Sequence, residues 1–287
     1  MASDQALRAE ADALSRALPD VMLQSDASEA AHVGSAGRRR AGSGEHFWQY
    51  RRYADEDSAD RIDWRRSAKG DQLFVRETEL ETARTILCWC DPDPGFHWTS
   101  DTAHHTKADT ARLILTAIGA SLSKDGERIG VLGGTRKPAF GKRAVDRLFE
   151  DLAAADDTFP GPPRDPATLI IASDFYDPLE TWRSRLAPLA AKCRDGVLIA
   201  IADPMEIDFP YSGRIKLSRP GQALSRILGR AESVREDYLA RFSAQRAALD
   251  GLAAKFGWRL VEHSTAAPPI KAASQLQRQL ASLGAKP

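Results

Sequence analysis

Three short apolar runs in this 287-residue chain stop at an aspartate. Thr85-Ile86-Leu87-Cys88-Trp89-Cys90 stops at Asp91, Thr168-Leu169-Ile170-Ile171-Ala172 at Ser173-Asp174, and Val197-Leu198-Ile199-Ala200-Ile201-Ala202 at Asp203. Carboxylates gathered at close range repel one another unless one is protonated or a cation sits between them. Magnesium suits such a group, because it takes a few carboxylate and hydroxyl oxygens and keeps several waters. The candidate metal ligands are therefore Asp91, Asp93 and Asp174. Ser173 adds a hydroxyl, and Thr135 of the Gly133-Gly134-Thr135 turn adds another. A structural reading stands beside this one. Aspartate is a common turn and N-cap residue, and each run must turn into a helix.

A second group of residues suggests binding. Residues 37–76 hold ten Lys/Arg and seven Asp/Glu. Arg51, Arg61, Asp63, Trp64 and Arg65 stand among Phe47, Trp48, Tyr50, Tyr53 and Phe74. Arginine interleaved with large aromatics is typical of interface anchors. The acidic neighbours Asp55, Glu56, Asp57, Asp60 and Asp63 oppose phosphate, so nucleic acid is not the expected partner. The alternative is a clamp, with Trp64 burying its ring and Arg65 pairing with a carboxylate.

The elements that must position these residues follow from periodicity. A helix is predicted over 4–23 and a loop or arm over 24–44. From residue 84, apolar strands at 85–90, 128–132, 168–172, 197–202 and 258–262 alternate with helices at 103–122, 141–155, 178–191, 222–256 and 268–284. Strands apolar on both faces, alternating with helices, predict a mostly parallel sheet flanked by helices: a three-layer, Rossmann-like α/β fold with an N-terminal helical and extended appendage. The divisions are a helix and loop over 1–36, a basic-aromatic extension packed on the main domain over 37–80, and the α/β domain over 81–287. In such a sheet the ligand crevice lies beyond the carboxyl ends of the strands, where the aspartates stand.

Composition narrows the classes. Forty Lys+Arg balance forty Asp+Glu, which excludes a globally basic nucleic-acid binder and a globally acidic tail. The three cysteines fit a reducing compartment better than a disulfide framework. Cys88 and Cys90 read as core thiols facing opposite layers. No apolar run reaches the roughly 20 residues of a membrane helix, and a cytoplasmic location is expected. There is no Gly-x-x-x-x-Gly-Lys-Ser/Thr phosphate loop and no Gly-x-Ser-x-Gly elbow. His104 and His105 are adjacent, which is not zinc-ligand spacing.

Two longer stretches resemble one family. The first runs Gly42-Ser43-Gly44-Glu45-His46-Phe47, Tyr50-Arg51-Arg52-Tyr53, Asp57, Arg61-Ile62-Asp63-Trp64-Arg65, Ser67-Ala68-Lys69-Gly70 and Leu73-Phe74-Val75-Arg76-Glu77. The second is Asp203-Pro204-Met205-Glu206 with Phe209-Pro210-Tyr211-Ser212-Gly213. Together they resemble the bacterial domain-of-unknown-function 58 family, over roughly residues 37–280. The resemblance implies a von Willebrand factor A-like fold. It also implies a non-catalytic protein-interaction role beside a MoxR-type AAA+ ATPase, in assembling or remodelling client proteins. The adhesion-site pattern Asp-x-Ser-x-Ser is degenerate here, since Asp91-Pro92-Asp93-Pro94-Gly95 keeps only the first residue. The expectation is thus an interaction module without a required cofactor, with magnesium as the one candidate ion. The alternative is a magnesium-dependent hydrolase or phosphoryl-transfer enzyme using the strand-end aspartates. For that reading no general base or phosphate cradle is visible in the sequence.

Overall fold

The computed structural model describes residues 3–19, 41–54, 62–68, 70, 72–79, 83–101, 104–154, 158–193, 195–221 and 225–283, with backbone only for 41–51 and 76–79. Arg61 and Arg38–Arg40 lie outside the described residues, as does the side chain of Arg51. The chain divides into two compact units, Met1–Leu23 with Arg84–Pro287, and Gln24–Ala83.

The larger unit is built on five parallel strands: β3 (Thr85–Cys90), β4 (Arg128–Val131), β5 (Thr168–Ser173), β6 (Gly196–Ala202) and β9 (Arg259–Ser264). Their order is β4-β3-β5-β6-β9. The chain therefore steps outward from β3 to β4, returns past it to β5, and continues in one direction. Such a reversal leaves a crevice between the carboxyl ends of the two strands that flank it, β3 and β5.

Helices cover both faces, which is why the central strands β3, β5 and β6 are apolar on both sides. One face presents Ile86, Cys88, Cys90, Ile170, Ala172, Val197, Ile199 and Ile201 to α1 (Asp4–Ala17), α3 (Lys107–Lys124), α4 (Lys142–Ala153) and α8 (Pro269–Leu283). The other presents Leu87, Trp89, Leu169, Ile171, Leu198 and Ala200 to α5 (Leu179–Lys192) and α7 (Arg235–Lys255). Cys88 and Cys90 share one face, because side chains two apart on a strand point the same way. This corrects the expectation that they face opposite layers. Among the described residues, no helix is long and apolar enough to cross a membrane.

The first helix, α1, belongs to this unit. Leu7, Ala11 and Leu18 recur on one face and are buried in the same core as α3. At its start Asp4 meets the Arg112 guanidinium at 3.0 Å. α3 is buried almost all round. Its Gly119 allows the close approach of α4, since a Cβ there would stand 2.5 Å from Leu148 Cδ2.

The predicted helix over 222–256 is a helix only in its second part. After β6 come a short helix α6 (Pro204–Asp208), an antiparallel hairpin of β7 (Ile215–Ser218) and β8 (Ser225–Leu228), and a 3-10 turn (Ala231–Val234) before α7 begins. Alternation explains the hairpin. Ile215, Leu217 and Leu228 are half-buried, while Lys216, Ser218 and Ile227 are exposed.

The smaller unit is an antiparallel ribbon of β1 (Ala41–Arg52) and β2 (Phe74–Glu79), with a one-turn helix α2 (Trp64–Ser67) between them. Asp63 caps α2, its carboxylate accepting the Arg66 N–H at 2.9 Å. The Ser67 hydroxyl accepts from Phe74 N–H at 2.9 Å and ties the turn to β2. Arg65 is exposed, and Trp64 is 64% exposed. The expected burial of the Trp64 ring is not met.

Candidate functional site

The rim of the sheet is assembled from loops whose own aspartates shape them. Asp91 follows β3 and accepts the Asp93 N–H at 3.0 Å. Asp93 in turn accepts the Gly95 N–H at 2.7 Å. These are two successive turns in which a carboxylate replaces a backbone acceptor, stiffened by Pro92 and Pro94. A Cβ at Gly95 would lie 2.8 Å from Asp93 Oδ1, so a larger residue there would displace that carboxylate. After β5 the Ser173 hydroxyl donates to Asp91 at 2.5 Å and accepts the Phe175 N–H at 3.0 Å. Asp174 accepts the Tyr176 N–H at 3.1 Å. After β6, Asp203 is fully buried and caps α6 through a reciprocal box with Glu206. It also takes the Ser100 N–H at 2.9 Å and hydroxyl at 2.5 Å. Asp203 is thus a structural residue.

The structure brings Asp91, Asp93 and Asp174 together around one hollow, with buried Ser173 bonded to Asp91 behind it. Thr135 is elsewhere, exposed beside a separate hollow lined by Trp89, Leu132 and Phe159.

Three cations stand among these carboxylates, and sequence reasoning named none of them. Lys107, at the first turn of α3, is 1% exposed. Its ammonium lies 2.9 Å from Asp174 Oδ2, 2.8 Å from Glu206 Oε1 and 4.9 Å from the centre of the Tyr176 ring. Arg219, just after β7, reaches Asp93 at 3.1 Å and Asp177 at 3.7 Å. Arg185 on α5 holds Asp177 at 2.8 Å. Asp174 and Asp93 therefore already carry counter-charge from the chain itself. Asp91 has none of these cations; burial, then the nearby Asp174 and Asp93 carboxylates, push its carboxyl above the usual range. The Ser173 hydroxyl and Asp93 amide act the other way. Among the described residues no group of three His, Cys, Asp or Glu is disposed to hold a metal ion.

Beside the carboxylates opens a cleft of about 510 Å³. Trp98, Tyr176, Met205, Phe209, Tyr211, Leu217 and Tyr238 line it, with Lys107, Asp174 and Glu206 at one side and Arg219 and Arg226 on the hairpin. The rings pack on each other: Phe209 lies 4.5 Å from Tyr238 and 5.1 Å from Tyr211, centroid to centroid. The Tyr238 hydroxyl donates to the Glu206 carbonyl at 2.9 Å, which locks α7 to α6. Two non-glycine residues hold positive φ, Phe175 at 57° and Phe209 at 43°. They stand just beyond β5 and α6, beside the carboxylates and the cleft. Such strain costs of order 1–3 kcal/mol per residue and gathers at functional sites.

One signal for this side of the rim was available in the sequence. Asp203-Pro204-Met205-Glu206 is a capping-box pattern with proline in the first turn, which fixes where Glu206 points. No comparable signal marks Lys107.

Residues 49–248 match the family described as "Protein of unknown function DUF58". Uncharacterized proteins of Mycobacterium bovis and of two strains of Mycobacterium tuberculosis are each 27% identical over 226 residues, covering 72% of this chain and 70% of the relative. No solved structure gives a significant match.

Proposed function

We propose that this chain, which belongs to the DUF58 family of proteins of unknown function, is a non-catalytic protein-interaction module. Its binding face is the rim where β3, β5 and β6 end. One observation carries the reading: a preformed, ring-lined cleft opens beside carboxylates that Lys107 and Arg219 already engage as ion pairs. A hydrolytic centre needs a base or nucleophile free to react at the cleft, whereas the two carboxylates that line it, Asp174 and Glu206, are both tied to an ammonium. A concave apolar lining with a few fixed polar groups is what recognition of a partner side chain requires.

The fold is von Willebrand factor A-like in this reading, and the Asp91-Pro92-Asp93-Pro94-Gly95 loop is a degenerate adhesion site. Lys107 supplies from within the positive charge that a metal ion supplies in an intact site, so magnesium is not needed. The partner is a MoxR-type AAA+ ATPase acting on client proteins in the cytoplasm, as the family resemblance suggests.

The test is size-exclusion chromatography of the purified chain with the MoxR-type ATPase of its own source. Co-elution is expected, and it should be lost in the Trp98→Ala/Tyr211→Ser variant. Calorimetric titration with magnesium should give no binding heat. Magnesium-dependent turnover of p-nitrophenyl phosphate that disappears in Asp91→Ala would favour the hydrolase instead.

A further inference from the structure

The geometry points to a specific partner chemistry for this face: an acidic protein segment carrying an aromatic or large aliphatic anchor residue. This rests on the reading of the rim as a binding surface and names what it binds. The hairpin β7–β8 forms one wall of the cleft through Leu217, Arg219 and Arg226. Residues 213–230, which contain it, carry Arg214, Lys216, Arg219, Arg226 and Arg230 and no Asp or Glu. The whole chain is neutral, so this is a local concentration of charge.

Arg219 is spent on Asp93 and Asp177. The other four are exposed, and no ion pair or side-chain hydrogen bond engages them among the described residues. Four unpaired cations within one short hairpin repel one another, and an acidic partner relieves that repulsion. Ile227, 57% exposed, lies directly across the hairpin from Lys216, on the face turned away from Leu217 and Arg226. A mixed basic and apolar surface of this kind suits a partner that is acidic and apolar together.

The cleft supplies the anchor site. Five aromatic side chains stand in its walls, and its volume of about 510 Å³ lies within the range of pockets that enclose an organic group. An anchor buried there brings an acidic neighbour onto Arg226 at the cleft wall, and a segment that continues over the edge of the ribbon meets Arg214 and Lys216 on its outer face. The surface thus divides the work as interfaces do, with a desolvated aromatic centre for affinity and a charged rim for partner choice and encounter rate. Single-stranded nucleic acid would share the basic rim, but it would depend on phosphate charge more than on one anchor.

The test uses a random dodecapeptide phage library selected on the full chain, with counter-selection on the Arg214→Glu/Lys216→Glu/Arg226→Glu variant. The three positions are exposed, so the variant should keep its thermal midpoint, and Arg214→Gln/Lys216→Gln/Arg226→Gln serves as a milder companion. The expected selectants carry Asp or Glu around one Phe, Trp or Leu. As synthetic fluorescein-labelled peptides they should bind at least about tenfold more weakly to the charge-reversed variant, and more weakly as salt rises. Replacing the anchor by Ala should cost a similar factor. Selectants without acidic residues, binding that survives charge reversal, no enrichment, or tighter binding of a labelled dT20 oligonucleotide would each overturn the proposal. If the ATPase co-elutes while the selectants lack acidic residues, this proposal fails and the binding-face reading stands. Acidic, hairpin-dependent selectants without co-elution remove the ATPase and leave this proposal in place.

Discussion

Replacing Lys107 by methionine tests the electrostatic frame of the rim most directly. Methionine keeps nearly the same length and removes only the charge. At an effective dielectric constant of ~20, attraction across 2.9 and 2.8 Å is roughly 6 kcal/mol for each contact before desolvation is subtracted. Desolvation cancels much of this in the intact cluster. The variant leaves Asp174 and Glu206 at the cleft wall without the ammonium they share, and the net cost of such a broken, largely buried pair is about 3–5 kcal/mol. In a domain of this size that lowers the thermal midpoint by roughly 6–20 °C. Urea denaturation at neutral pH, followed by circular dichroism, reads it. The companion is Lys107→Met/Asp174→Asn/Glu206→Gln, which removes the repulsion and keeps the Tyr176 and Asp203 hydrogen bonds. It should recover most of the loss. A single variant within about 1 kcal/mol of wild type, or a triple variant no better than the single, refutes the claim that the ammonium holds the rim together.

Three further outcomes follow from the geometry. His263 is buried, and burial lowers its imidazole to about 4, so the unfolded chain takes up a proton between pH 6.5 and 4 that the folded chain refuses. Stability should be full above pH 6.5 and fall by roughly 3 kcal/mol across that window, and His263→Leu should flatten the slope measured by urea midpoints. Asp91 shifts the other way, because burial raises its carboxyl. The folded chain then holds the proton longer than the unfolded one, and stability from this group is present at low pH and drains away as pH rises above about 4. Asp91→Asn escapes that loss, so its stability relative to wild type should improve from pH 4 to 7.5; a constant difference would contradict the assignment. At Gly196 a Cβ would stand 2.3 Å from the Trp258 ring. Gly196→Ala should cost about 1–3 kcal/mol by calorimetry and change the near-ultraviolet dichroism of Trp258.

The sheet could be read because its strands are apolar on both faces and each ends in a turn former, as in Thr168–Ser173 followed by Asp174. The hairpin could not. Its strands are four residues each, and Leu224, Ile227 and Leu228 sit at i, i+3 and i+4, which also fits a helix. The carboxylates at the rim follow from the same logic as the strands. Lys107 does not: it arrives from the start of α3, well after β3 has ended, and lysine beside an N-cap threonine reads as solvent-facing. Only the tertiary meeting of α3 with the β5 and β6 ends turns it inward. Trp64 fails for the opposite reason. The general burial of large aromatics led to an enclosed ring, and the one-turn helix that carries it leaves it in water.

The sulfur atoms of this protein are a usable clock. Cys88, Cys90 and Cys193 are all sealed within the core, and burial pushes the Cys88 thiol up to about 12 and the Cys90 thiol up as well. Alkylating reagents need both access and thiolate, so they should reach these positions only through rare opening of the layered body. The rate of iodoacetamide uptake therefore reports how often the sheet comes apart. A new cysteine engineered at exposed Ser225 would be modified at once, without first removing the native three.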